Sequence, residues 1–361
     1  MSEAGTAKLS TDDMRSAVQA GIVTEAQAAT LIAHAQARMG YRNAMLADEE
    51  PFEFFKGFAE IFVTIGLGLL TGGVVGLTVL FVSWSWGAGL GFFICLMLAR
   101  YYTLERRMSL PSIALAVGTA ISSTAFFGSF LVIEQIRDET PLLIISAIGM
   151  VTMLGYFHVF KLPFAMFLFG LFCMAFVYGV VIDGGEWFFL ASNFPAALFD
   201  LGQGSSVALA SLGFGLAMMA AGLWFDMKDP HRISRHAVTG FWLHILAAPA
   251  LVNTCAMSLY NLGDTRGYVL TALLMCFVTL FAIVIDRRSF LTAGLFYFAA
   301  VIVWAATASF GDQVGGFMVV AIIGGFFTTI GTWWVQIRAA VMRILPVFPG
   351  KSRLPPYVSE V

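Results

Sequence analysis

The feature that most constrains this chain is a succession of ten apolar runs. Helices of about 20 apolar residues cross the roughly 30 Å hydrocarbon core of a bilayer. Charged residues make up 12% of the chain, against about 25% in soluble domains. The composition therefore excludes a soluble domain, and the runs predict membrane-spanning helices. They cover residues 58–80, 87–103, 110–134, 141–159, 162–182, 205–225, 237–260, 267–285, 290–310 and 314–336.

The distribution of basic residues gives the orientation. If the chain changes sides at each run, all 20 Lys and Arg residues except Arg137 and Arg266 fall on one side of the membrane. Loops rich in Lys and Arg stay in the cytoplasm. Both termini are therefore predicted to be cytoplasmic.

The sequence thus predicts an all-α fold, a polytopic membrane bundle of about ten transmembrane helices. Residues 1–50 form a small cytoplasmic helical hairpin. The transmembrane domain covers residues 51–337, and residues 338–361 form a basic, proline-containing cytoplasmic tail.

Helix-start signals define the hairpin. Ser10 precedes acidic residues, which favour a helix N-terminus. Gly21 is placed to end that helix, and Thr24 with Gln27 has the spacing of a capping box. The hairpin is too small to hold a large core of its own. It is interpreted either as a docking element for a protein partner or as a cap over the membrane bundle.

A polar stripe runs along the first apolar run. Glu60, Thr64, Thr71 and Thr78 are separated by four, seven and seven residues, a spacing that places them on one helical face. The stripe is interpreted as the lining of a polar path. The alternative is a close helix–helix seam whose Glu60 pairs with Lys56.

The seventh run is the most irregular. It contains His244, then Pro249, which is expected to kink the helix, and then Asn253. A broken helix with nearby polar groups is typical of a binding site in the membrane. The alternative is that His244 is a hydrogen-bonded packing residue.

Catalytic motifs are missing from the sequence. It contains no HExxH or HxxxH pair, no GxSxG turn and no phosphate-binding glycine loop. We therefore predict no enzymatic activity and no catalytic, cofactor-binding or metal-binding residues. An enzyme would need a cluster such as His158, His231 and His236 with Asp226, yet His231 and His236 are assigned to a solvated loop. No basic domain for binding nucleic acid is present.

Two loops share the form acid-Arg-Arg, Glu105-Arg106-Arg107 and Asp286-Arg287-Arg288. They lie six helices apart and so have the same predicted orientation. The pattern is interpreted as a feature of helix ends at a cytoplasmic surface, with an internal repeat as the alternative.

Several segments carry a resemblance. Residues 20–28, 229–232, 241–249 and 286–288 resemble an uncharacterised bacterial multi-pass membrane protein family, which has a short N-terminal helical segment and a domain of unknown function. The resemblance covers at most about a fifth of the chain. It implies a location in the inner membrane and carries no activity.

Two functions follow from these observations. In the first, the protein is a membrane module that assembles with or regulates a protein partner through residues 1–50. In the alternative, it is a transporter or exporter of a small solute, with a path along the first and seventh helices. The scarcity of ionisable residues within the runs favours the first, because proton-coupled pumps commonly use such residues.

Overall fold

The computed structural model describes residues 10–38, 58–131, 140–182, 196–203, 206–232, 234–310, 312–355 and 357. Within these ranges every regular element is helical, which confirms the all-α class. The α-helices are α1 (Thr11–Gln19), α2 (Glu25–Arg38), α3 (Phe58–Phe81), α4 (Trp84–Ala99), α5 (Ser109–Leu131), α6 (Thr140–Phe160), α7 (Phe164–Val181), α8 (Ala196–Phe199), α9 (Ser206–Lys228), α10 (Arg235–Tyr260), α11 (Thr265–Ile285), α12 (Ser289–Phe310), α13 (Asp312–Thr332) and α14 (Trp334–Ile344).

The spanning helices follow the apolar runs. In the described part of the chain, eight helices (α3 to α7 and α9 to α11) are long and apolar enough to cross a membrane. The run predicted at 290–310 corresponds to α12, whereas the run predicted at 314–336 covers most of α13 and the first residues of α14. The protein is therefore a multi-pass membrane protein.

The junction between α3 and α4 depends on a serine cap and a glycine contact. The Ser83 hydroxyl accepts a hydrogen bond from the Trp86 backbone N–H at 3.4 Å, so α4 begins three residues before the predicted position. Gly87 lies inside α4, where a Cβ would collide with Val79 and come within 3.2 Å of the Val75 carbonyl. This glycine therefore permits close packing of α3 on α4.

The turns after α4, α6, α9 and α11 share a backbone feature. Each contains one non-glycine residue in the left-handed region, with φ between 51° and 58°: Arg107, Lys161, Arg232 and Asp286. A left-handed residue is a common way to end a helix within a short turn. Each pair of helices is thereby joined by a tight connection.

These turns lie on one face of the bundle, named the basic face here. Its described residues include thirteen Lys and Arg and five Asp and Glu, so the face is strongly positive. The basic face comprises residues 58–60, 100–108, 161–163, 226–232, 234–235, 286–288, 333–355 and 357.

Two apolar cores meet at α10. Phe241 and Trp242 pack into a core built from α3 to α7. Leu243 and Leu246 pack into a second core, built mainly from α9 to α14. Because one helix contributes to both cores, it is the most buried span, and it joins the two halves of the bundle.

The hairpin has both predicted caps. Ser10 and Asp13 exchange hydrogen bonds, with the Asp13 N–H donating to Ser10 Oγ at 3.1 Å and the Ser10 N–H donating to Asp13 Oδ2 at 2.7 Å. These bonds hold the pKa of the Asp13 carboxyl below its usual range. Thr24 and Gln27 form the second capping box, and Gly21 takes a φ of +72° just after α1.

The C-terminal helix crosses the boundary predicted at 337/338. Helix α14 begins two residues after α13 ends and packs against α11. Its buried residues include Trp334 and Arg338. The first residues of the predicted tail are therefore an integral part of the bundle.

A buried charge cluster as the candidate functional site

The stripe on α3 is satisfied locally. The hydroxyls of Thr64, Thr71 and Thr78 donate to the backbone carbonyls four residues earlier, at 2.7, 2.6 and 2.9 Å. Hydroxyls bonded in this way need no further partner. The polar path along this stripe therefore stays a prediction.

Glu60 has a separate role as a helix cap. Its side chain is buried, and its two oxygens accept hydrogen bonds from the Ser109 and Leu110 backbone N–H groups at 3.2 and 3.1 Å. These groups are among those that the first turn of α5 leaves without a helical partner. The predicted pair with Lys56 lies outside the described residues.

We expect Glu60→Ala to destabilise the protein by about 1 kcal/mol, the usual cost of losing a cap. The measurement is thermal unfolding in detergent. Glu105→Ala is the matched control, because Glu105 is an exposed carboxylate on the same face. Equal melting temperatures for the two variants would contradict the capping role.

His244 and Asn253 lie far apart along α10. His244 is fully buried and directed towards α9, about 13 Å along the helix from Arg235. Asn253 is half-buried and lies nine residues further on, beyond Pro249. No hydrogen bond joins the two side chains in the described part of the chain.

A carboxylate at the end of α9 is the centre of a buried cluster. The Asp226 carboxylate receives two hydrogen bonds from the Arg287 guanidinium, one to each oxygen, with the bond from Nε at 3.1 Å. His244 Nε2 lies 2.9 Å from Asp226 Oδ2. The Arg287 side chain is completely buried and also donates to the Ala237 carbonyl at 2.9 Å.

Two glycines make room for this arrangement. A Cβ at Gly240 would overlap Asp226 Oδ1 and approach the Gly222 carbonyl at 3.1 Å. A Cβ at Gly222 would lie 2.8 Å from the His244 ring. Both positions therefore require glycine if α9 and α10 are to approach closely with the charged groups between them.

A second carboxylate extends the cluster to α14. Asp286 accepts a hydrogen bond from the Trp334 indole N–H at 2.6 Å and forms an ion pair with Arg232 at 3.1 Å. The Arg338 Nε lies 3.8 Å from the same carboxylate. Arg338 also donates to the Pro355 carbonyl at 2.6 Å, so the cluster extends to the C-terminal segment.

A third carboxylate fixes the start of α10. Asp229 is buried and accepts hydrogen bonds from the backbone N–H and the hydroxyl of Ser234, at 2.7 and 2.9 Å. Ser234 in turn caps α10 by accepting from the His236 N–H at 3.1 Å. The three buried carboxylates are matched by three buried guanidiniums, those of Arg232, Arg287 and Arg338.

The balanced charges indicate what the cluster can do. Buried ions are tolerated only when they are paired and hydrogen-bonded. His244 adds a fully buried imidazole beside Asp226. Because the cluster is compensated in this way, it can hold charged groups of α9, α10, α11 and α14 together within the bundle.

The N-terminal hairpin contacts α10 beside this cluster. Glu25 Oε1 of α2 lies 3.1 Å from His236 Nε2 in the first turn of α10. The His236 ring also packs against Phe225, whose neighbour in the chain is Asp226. His236 therefore connects the hairpin to the edge of the cluster.

Sequence reasoning missed most of this site. It assigned the segment with His231 and His236 to a solvated loop, whereas Arg232 within that segment and Asp226 just before it are buried. The two acid-Arg-Arg segments also differ, since Arg106 is exposed and bonds to Tyr101 at 2.8 Å while Arg287 is buried. One local signal was available in the sequence. Gly222 lies four residues before Asp226 and Gly240 lies four residues before His244, so each glycine shares a helix face with a member of the cluster.

His236 and Asp226, two of the side chains named above for an enzyme, have different partners. His236 pairs with Glu25, and Asp226 pairs with Arg287 and His244. Among the described residues, no three His, Cys, Asp or Glu side chains are arranged to hold a metal ion.

Comparisons of the chain with known protein families, with curated proteins and with solved structures find no match. The resemblance to a bacterial multi-pass family therefore stays a prediction.

Proposed function

We propose that the protein is a membrane module that assembles with, or regulates, a cytoplasmic protein partner through its N-terminal hairpin. The contact between Glu25 and His236 carries this proposal, because it joins the hairpin to the transmembrane domain beside the charge cluster. The positive-inside distribution of Lys and Arg and the family resemblance support an inner-membrane location in a bacterium, with both termini cytoplasmic.

The contacts give the hairpin a route into the membrane domain. His236 is followed by Ala237, whose carbonyl accepts from Arg287. Arg287 in turn holds Asp226, which bonds to His244. A displacement of the first turn of α10 would therefore act directly on the charge cluster.

The hairpin contact is suited to reversible release. About a quarter of each side chain, Glu25 and His236, is exposed to solvent. Solvent-exposed ion pairs contribute up to about 1 kcal/mol. A partner that binds the hairpin would therefore give up little free energy by breaking this pair.

The hairpin also presents apolar residues to solvent. Ile22 is 76% exposed and Leu31 is 48% exposed. They flank the start of α2, where Glu25 makes its contact. This surface offers a partner apolar contacts next to the element that must be released.

Site-specific photo-crosslinking in living cells tests the assembly. We expect benzoylphenylalanine at position 22 or 31 to give one discrete adduct with a second protein. Position 16, exposed on the same hairpin, is the control and is expected to give none. Adducts formed only within the chain at positions 22 and 31 would contradict the proposal and would favour a cap over the bundle.

Thiol accessibility tests the coupling to the membrane domain. Ala237 is 1% exposed, so Ala237→Cys in a chain without its four native cysteines is expected to react slowly with an impermeant maleimide. We expect Glu25→Ala to raise the rate about fivefold, the equivalent of about 1 kcal/mol. Asp12→Ala, which removes a hairpin carboxylate paired only locally, is expected to leave the rate unchanged. Equal rates in the two variants would contradict coupling.

Solute transport is the second candidate, and the Asp226–His244 pair favours it. Both residues belong to spanning helices, and ionisable groups in such helices commonly serve proton relays. Asp226→Asn is then expected to abolish any proton movement into liposomes that contain the protein. Asn253→Cys is expected to react with a small impermeant thiol reagent. A protein that moves no protons, and whose introduced thiol at position 253 is unreactive, excludes this candidate.

A further inference from the structure

The segment after α14 forms a rigid apolar tip on the basic face. We define the tip as residues 344–349; within it Ile344 is 84% exposed and Val347 is 93% exposed. Pro346 and Pro349 are also exposed. Prolines restrict the backbone, so the tip is held in one conformation with little entropy left to lose.

Hydrogen bonds hold the tip in position. Lys351 Nζ donates to the Met342 and Leu345 carbonyls, both at 2.7 Å. These groups belong to the last turn of α14, whose carbonyls have no helical partner. Gly350 takes a φ of +92° and turns the chain back. The tip is therefore a closed loop, anchored at both of its ends.

The position of the tip relates it to the membrane surface. Trp333 joins α13 to α14 and is 51% exposed, and Trp is enriched at the headgroup level. Helix α14 follows directly. Its buried face packs against α11, whose end marks the edge of the spanning region. The tip thus extends from a helix whose first residue, Trp334, contacts Asp286 at the end of α11, where the spanning region ends.

Basic residues flank the tip. Arg343 precedes it and Arg353 follows it, and both are exposed. The whole basic face has a large excess of Lys and Arg. Exposed apolar side chains beside basic residues are the combination that inserts into the headgroup region of anionic lipid.

We infer that the tip is a binding surface for anionic phospholipid in the surrounding membrane. Ile344 and Val347 enter the boundary between headgroups and acyl chains, and Arg343 and Arg353 contact the lipid phosphates. This inference does not depend on the proposed function, since it uses neither the hairpin nor the charge cluster.

Fluorescence quenching in nanodiscs tests this inference on the full chain. The four native cysteines are replaced by Ala, and Val347→Cys carries an environment-sensitive fluorophore. The nanodiscs contain equal parts of phosphatidylcholine and phosphatidylglycerol, with one or the other lipid spin-labelled. We expect quenching by the spin-labelled phosphatidylglycerol to be about fivefold stronger, the preference expected from a basic residue at the surface.

Two further variants separate the effect of the arginines from general contact with lipid. Arg343→Gln with Arg353→Gln is expected to make the quenching by the two lipids equal. A fluorophore at Leu216→Cys, 48% exposed in the middle of α9, is expected to be quenched equally by both lipids in every variant. Equal quenching of the label at position 347 by the two lipids, with both arginines in place, would overturn headgroup selection. Absence of quenching there would show that the tip lies away from the membrane.

Discussion

Arg287→Ala is expected to lower the stability of the protein by about 3–5 kcal/mol, because it leaves the buried Asp226 carboxylate without its paired cation. The substitution also removes the donor to the Ala237 carbonyl. Thermal unfolding in detergent is the measurement, and we expect the apparent Tm to fall by roughly 4–7 °C. Arg287→Lys is expected to recover little, since a lysine cannot form the two parallel bonds that the guanidinium makes.

The chain offers a matched control and a test of pairing. Arg106 occupies the corresponding position of the other acid-Arg-Arg segment and is exposed, so Arg106→Ala is expected to change stability by less than about 0.5 kcal/mol. Asp226→Ala combined with Arg287→Ala is expected to be less destabilised than the sum of the single variants. Additive losses would mean that the two residues do not interact.

Gly240→Ala is expected to be the second most damaging substitution, although Ala is normally the better helix former by about 1 kcal/mol. The added methyl group would overlap the Asp226 carboxylate, which is fixed by Arg287 on its other side. Overpacking costs about 1–3 kcal/mol, and displacement of the carboxylate from its partner adds to that cost. The measurement is again the shift of the thermal unfolding transition.

Gly213→Ala gives the contrast. Gly213 lies in α9, and a Cβ there would meet no atom within 4 Å. We therefore expect Gly213→Ala to leave the Tm unchanged or slightly raised. A similar fall in Tm for both alanine variants would mean that glycine is needed for helix flexibility and not for the fit around Asp226.

The fold was largely predictable because one physical constraint dominates it. A span must be long and apolar, so the ends of α3 to α7 and of α9 to α13 agree with the predicted runs to within about four residues. The differences arise at caps. Ser83 starts α4 early, and α9 continues past Asp226 because the carboxylate is neutralised within the fold.

The candidate site was far less predictable, for a physical reason. Hydropathy assigns a charged residue beside an apolar run to water. In the folded protein, a partner distant in sequence can neutralise that residue and allow it to be buried. Arg287 and Asp226 are 61 residues apart, and Trp334 and Asp286 are 48 apart. Local patterns contain no information about such pairs. Glu60 shows the same limit, since its partners on α5 are 49 and 50 residues away.

The separation of Asp226 from Arg287 also has a consequence for biogenesis. At about 5–20 residues per second, the ribosome needs roughly 3–12 s to add the 61 residues between them. During that interval the carboxylate at the end of α9 has been made and its guanidinium has not. The C-terminal half of the bundle is therefore expected to mature late, with α9 and α10 closing around Asp226 only after α11 has been inserted. A nascent chain that stops before residue 287 should remain open to membrane quality-control proteases, whereas one that has passed it should become resistant.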